Sequence, residues 1–136
     1  MNSELRYIFH LSIPVSSLKE AKKFYTGVLG ARPGREEDEW VDMLLWGHQI
    51  TLQLRPGEVL PLEEQGKRHF GVVLPWSEWE AFANNSSSFS DCVLKPPIVL
   101  MQGTQREQAK VYVSDPSNNI IEVKAYRNPK AVLGIE

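Results

Sequence analysis

The same order of elements is written twice along this chain, and that doubling constrains the fold more than any single motif. Each half opens on an apolar run with period-two alternation that carries a histidine: YIFHLSIPV with His10 and RHFGVVLP with His69. An amphipathic segment follows each. In SSLKEAKKFYTGVLG, Ser17 and Glu20 fit a capping box. Leu18, Ala21, Phe24, Tyr25, Val28 and Leu29 mark one helical face there, and Gly30 supplies the stop. In SEWEAFANN, Ser77 and Glu80 fit a second box, Trp79 and Phe82 can turn inward, and the polar run Asn84 to Ser88 ends the helix.

The first half then passes a Pro33-Gly34 turn and an acidic stretch into two strands, EWVDMLLW and HQITLQL, joined tightly through Gly47. The second continues through CVLKPPIVLM with a Pro-Pro bend and the loop GTQREQ. It ends in KVYVSD and NIIEVKAY, a hairpin across Pro116, Ser117 and Asn118. The pattern predicts an α+β fold of two βαβββ modules, about 5–57 and 66–128, with helices outside. Residues 58–65, in the Glu- and Gly-rich segment Glu58 to Lys67, are the linker, and 1–136 reads as one domain. The repeat is one of pattern rather than letters, with a period beyond the usual solenoid range.

Superposing the halves by element puts His10 on His69, and Gln53 in ITLQL on Glu122 in IIEV. Strand alternation groups His10 with Ile8 and Ser12, against Phe9, Leu11 and Ile13. It sets Thr51, Gln53 and Arg55 against Leu52 and Leu54. In the last strand it sets Ile120, Glu122, Lys124 and Tyr126 against Ile121, Val123 and Ala125. Every candidate ligand therefore lies on the face its own helix leaves uncovered, and a mixed sheet curving round those faces would wall a metal cavity. Two imidazoles and one carboxylate leave coordination positions open, which suits catalysis more than structure. Gln53 can complete the shell, hold a water or merely line the pocket. The plainer alternative is a satisfied structural histidine and a glutamate paired with Lys124 or an arginine. Burying Glu122 without a cation would cost on the order of several kcal/mol.

Trp40, Asp42, Leu44 and Trp46 share a strand face, and Tyr126 follows Glu122 by four. Trp40, Asp42 and Tyr126 are candidate substrate-lining residues, although such a stripe is more often core. Arg106 in GTQREQ can anchor a substrate carboxylate through its planar fork, where a solvated loop arginine is the commoner case. His48 reads as a hairpin-fixing histidine rather than a ligand. The formal net charge of -2 and the scatter of basic residues offer no stripe for nucleic acid or an anionic membrane. The lone Cys92 cannot pair within the chain and reads as a small buried hydrophobe, which points to a reducing compartment. MNSELRYIF has no leader pattern, and a cytoplasmic location is expected.

From about Tyr7 to Tyr126 the chain resembles the vicinal oxygen chelate superfamily, the glyoxalase, bleomycin-resistance and extradiol dioxygenase group. The resemblance is carried by HLSIPVSSLKEAKKFYTGVLGARPG, HFGVVL and YVSDPSNNIIEVKAY. It implies metal ligands at His10, His69 and Glu122, with Glu122 also a candidate proton-transfer base. It implies a divalent metal, iron first, with manganese, nickel or zinc as other fits, and a homodimer acting on a small-molecule substrate. The leading expectation is an extradiol-type dioxygenase. Gln53 departs from the glutamate that bacterial glyoxalase I carries, so a glyoxalase-type lyase is an alternative. A fosfomycin-resistance-type transferase and a metal-free drug-binding protein are the others.

Overall fold

The computed structural model describes residues 6–134. Residues 1–5, which hold the expected start of the first module and part of the stretch read for a leader, lie outside the described residues. The chain divides into two compact units, residues 1–60 and 61–136. Each has the α+β order strand, helix and three strands.

In the first unit β1 (His10–Val15) leads into α1 (Leu18–Gly27), β2 (Arg32–Glu37), β3 (Trp40–Leu45) and β4 (His48–Leu54). The sheet order is β1-β4-β3-β2, with β1 parallel to β4 and the remaining pairs antiparallel. Ser17 caps α1 by accepting a hydrogen bond from the Glu20 amide at 3.1 Å, and Ala21, Phe24 and Tyr25 are buried. Facing them are Val41, Met43, Leu45, Ile50 and Leu52, all buried. The β3–β4 turn at Trp46 and Gly47 has positive φ at both positions, 53° and 80°. That backbone twist matches the strands, and it is why a glycine stands at the second position.

Three expectations change here. Pro33-Gly34 is not a turn between elements but part of β2, with a register irregularity between Pro33 and Glu36. The reversal comes later, at Asp38 and Glu39. Phe9, expected on the helix-facing side, is 61% exposed, because β1 begins only at His10. The Trp40 stripe is not core: Trp40 and Asp42 are half-buried and Leu44 is exposed, while the alternate residues of β3 fill the interior.

The second unit repeats the plan. β5 (Phe70–Leu74), α2 (Trp76–Asn84), β6 (Val93–Leu100), β7 (Gln108–Ser114) and β8 (Ile120–Tyr126) form a sheet of order β5-β8-β7-β6, with β5 parallel to β8. Val111, Val113, Ile121, Val123 and Ala125 are buried beneath α2, whose Trp79 is also buried and donates from Nε1 to the Val123 carbonyl at 2.9 Å. The expected Ser77–Glu80 box does not cap α2. The helix starts two residues earlier than that box would set it, at Trp76, with Pro75 in the cap position and no side-chain cap. Pro96 and Pro97 fall where β6 slips register against β7, between Lys95 and Ile98. Among the described residues no helix is long and apolar enough to cross a membrane.

Candidate functional site

The structure brings two of the three expected ligands together, and both belong to the second unit. His69, just ahead of β5, places Nε2 at 3.2 Å from Oε1 of Glu122 on β8. Glu122 is 7% exposed. Sequence alternation accounts for its aim, since its neighbours Ile121 and Val123 are fully committed to the interior. The other imidazole nitrogen, Nδ1, lies 2.8 Å from the Lys67 carbonyl oxygen. A carbonyl only accepts, so Nδ1 carries the proton and donates it there. In the neutral ring Nε2 then turns a lone pair toward a carboxylate oxygen that also only accepts. Two acceptors at this distance require a proton or a cation between them, and an outer carbonyl that fixes the tautomer is how metal-ligating histidines are oriented. An imidazole nitrogen beside a carboxylate oxygen is donor chemistry that divalent metals accept. Among the described residues no three His, Cys, Asp or Glu side chains gather closely enough to hold one, so the pair is what is assembled.

Tyr112, which sequence reasoning missed, completes the surroundings. It pairs with Glu122 across the β7–β8 ladder and donates its hydroxyl proton to the Glu122 carboxylate. Its ring meets His69 edge-on at 5.7 Å. Its pKa is raised, first by burial, then by that hydrogen bond and by the glutamate's charge. The signal was present: counting outward from the Pro116–Asn118 turn sets residue 112 opposite 122.

That turn explains the YVSDPSNNIIEV motif. Buried Asp115 accepts from the Ser117 and Asn119 amides at 2.8 and 2.9 Å through Oδ1, and from Asn119 Nδ2 at 2.8 Å through Oδ2. The clamp fixes the hairpin register and with it the face Glu122 occupies.

In the first unit His10 is exposed at the start of β1, on the face away from α1. Gln53 Nε2 donates to Ser12 Oγ at 3.1 Å. The ladders revise which residue matches Glu122. If His10 corresponds to His69, then Ser12 corresponds to Gly71. Their partners are Thr51 and Glu122, leaving Gln53 opposite Lys124 in the comparison. Pattern matching slipped by two residues because both positions lie on one face. Thr51 donates to Asp42 Oδ1 at 2.6 Å, and Gln49 Nε2 donates to Oδ2 at 3.3 Å. Asp42 stands opposite Thr51 as Tyr112 stands opposite Glu122, so acid and hydroxyl have exchanged strands between the units.

Arg106 lines a separate hollow of about 430 Å³ with Gln105, Asn128, Lys130, Ala131 and Gly134. Tyr126 is half-buried, with Lys124 Nζ 5.2 Å from its ring. His48 accepts at Nδ1 from the Phe9 amide at 2.9 Å, which ties the chain ahead of β1 to β4. Cys92 is half-buried, and burial followed by Asp91 and Asp115 pushes its thiol pKa up, away from nucleophilic use.

Comparison with known proteins completes the description. The model of the Glyoxalase/Bleomycin resistance protein/Dioxygenase superfamily matches residues 7–123. Comparison with curated protein sequences yields no match. Among solved structures, a glyoxalase/bleomycin resistance protein/dioxygenase from Alicyclobacillus acidocaldarius is 24% identical with a TM-score of 0.82, covering 93% of this chain and 96% of that one. The fosfomycin resistance protein FosX from Listeria monocytogenes is 16% identical with a TM-score of 0.74, covering 95% and 100%. FosX from Mesorhizobium loti is 18% identical with a TM-score of 0.65, covering 92% and 93%. At these identities the structures show a shared fold.

Proposed function

We propose, for a chain that belongs to the Glyoxalase/Bleomycin resistance protein/Dioxygenase superfamily, that it is a metal-dependent enzyme acting on a small substrate with two neighbouring oxygens. His69 and Glu122 are the proposed ligands at its core, and His10 is proposed as a metal ligand from its matching position in the first unit. The observation that carries the reading is the contact of His69 Nε2 with Glu122 Oε1 at 3.2 Å, with Nδ1 already committed to the Lys67 carbonyl. A bound divalent metal, iron first and otherwise manganese, nickel or zinc, would supply Lewis acidity and open positions for a bidentate substrate.

The chain's own residues have distinct tasks. The Lys67 carbonyl holds the imidazole tautomer. Glu122 contributes the negative charge and, when not fully engaged by the metal, a base for a substrate proton; the two tasks compete, since a metal-held carboxylate is less basic. Tyr112 orients Glu122 through its hydroxyl. Trp40 and Asp42, on the open face of the first sheet, and Tyr126 are proposed to line the substrate's path, and Gln53 acts through Ser12 rather than as a carboxylate.

The reaction read first is extradiol-type oxygenation of a vicinal diol. A fosfomycin-resistance reaction is the second reading, favoured by the likeness to FosX over 95% of this chain. A glyoxalase-type isomerisation ranks lower, because neither Thr51 nor Gln53 offers a second carboxylate in the matching strand. A homodimer in the cytoplasm is part of the proposal.

Metal analysis after anaerobic purification tests the core of it. About one equivalent of divalent metal is expected, lost in His69→Ala and Glu122→Gln. A metal-free protein that binds a bleomycin-type drug tightly would replace the enzyme with a sequestering protein. Oxygen uptake on a catechol panel, fosfomycin opening followed by phosphorus NMR, and a methylglyoxal–glutathione assay then separate the reactions.

A further inference from the structure

Beside the His69–Glu122 pair lies a hollow of about 360 Å³ within the second unit, bounded by Gly66 to His69, Leu94, Lys95, Tyr112 and Ile120. Its charged lining is one-sided. Lys67, Arg68 and Lys95 contribute to it, and no aspartate or glutamate does. Lys95 Nζ stands 5.1 Å from the centre of the Tyr112 ring, and Lys110 Nζ reaches the same ring at 6.0 Å. Among the described residues none of these four cations forms an ion pair. The nearby acid, Glu122, is already engaged by His69 and by the Tyr112 hydroxyl.

Arg68 is held in place. Its Nε donates to the Gln65 carbonyl at 3.2 Å and one terminal nitrogen to the Glu64 carbonyl at 3.4 Å, so its charge is presented without a carboxylate to answer it. Like charges sharing one concavity repel one another unless an anion enters, and the effect is larger where protein walls lower the local dielectric. In a chain of net charge -2 such a local excess is not a consequence of composition.

We propose that this hollow is an oxyanion subsite, built for a phosphate- or phosphonate-like dianion, with Lys67, Arg68 and Lys95 as its binding cations. Compact ammonium charges and a fixed guanidinium suit a tetrahedral dianion, and a planar monoanionic carboxylate would leave positive charge unanswered. Combined with the metal-chelation reading, on which only this last step rests, it makes the substrate an anionic molecule: one end chelates beside His69 and the charged end lies over Lys95.

Inorganic phosphate, with the metal removed by chelator and at low ionic strength, is the probe. Calorimetric titration is expected to show one phosphate per chain. Affinity should fall about tenfold in Lys95→Ala and in Lys67→Ala, the loss of one charged contact each, and stay unchanged in Lys19→Ala, which alters a lysine of the first unit that does not line the hollow. Sulfate should compete and acetate should not. Absence of binding in the unaltered protein, or equal weakening in all three variants, overturns the subsite. Manganese titration of the same samples keeps the two ideas apart. Manganese uptake without phosphate binding sinks the subsite alone, and phosphate binding without manganese uptake sinks the metal reading alone.

Discussion

Gly71 stands across the β5–β8 ladder from Glu122, and a Cβ built on it would collide with the Glu122 carbonyl oxygen. No side chain can be accommodated there without moving a backbone strand, so Gly71→Ala is expected to cost about 2–4 kcal/mol, read as a lowered urea midpoint. Metal affinity should fall with it, since Glu122 is the residue displaced. Tyr112 gives a second expectation. Its pKa is raised in the folded state by burial and by Glu122, so the folded protein holds that proton more tightly than the unfolded chain. The stability it contributes is complete below the ordinary tyrosine pKa, about 10, and is lost as pH rises through the folded value. Denaturation midpoints should therefore decline more steeply in alkali for the unaltered protein than for Tyr112→Phe. At this scale His69 and Glu122 were legible because strand alternation states which way a side chain points. Tyr112 was legible in principle, through the turn count. Gln53 was matched to Glu122 in place of Thr51 because two positions on one face look alike until a ladder fixes the register.

The elements were read from their periodicity, and they depart from expectation where periodicity is weak. β2, RPGREE, has no apolar alternation and all six residues exposed, so nothing in it distinguished a sheet-edge strand from a loop. The start of α2 is set by Pro75, which fits a helix's first turn better than its interior. The Ser77 and Glu80 pair satisfied the letters of a cap two residues too late. The β7–β8 turn is the opposite case, where a motif and its structure coincide. Asp115 answers three donors there, so Asp115→Ala strands two backbone amides at a tight turn and should lower stability by about 2–4 kcal/mol. Hydrogen exchange should show the loss concentrated in β7 and β8. Asp115→Asn retains acceptor capacity at Oδ1 and should cost less.

For the molecule as a whole, metal binding to the native state alone would add stability by mass action. At a free metal concentration a hundredfold above the dissociation constant the gain is about 2.7 kcal/mol, and a chelator should reverse it. Thermal scans with and without manganese are expected to differ by several degrees in the unaltered protein and to coincide in Glu122→Gln. The two-unit plan was legible because each unit repeats an order of elements. What was not legible is how far the repeat has diverged in chemistry: Thr51 faces Asp42 where Glu122 faces Tyr112. A duplicated ancestor would have begun with identical partners in both copies. Trading donor for acceptor in only one copy leaves the acid on β3 in the first unit and on β8 in the second, so a substitution at Asp42 or Thr51 removes none of the hydrogen bonds made by the imidazole–carboxylate couple in the sister copy.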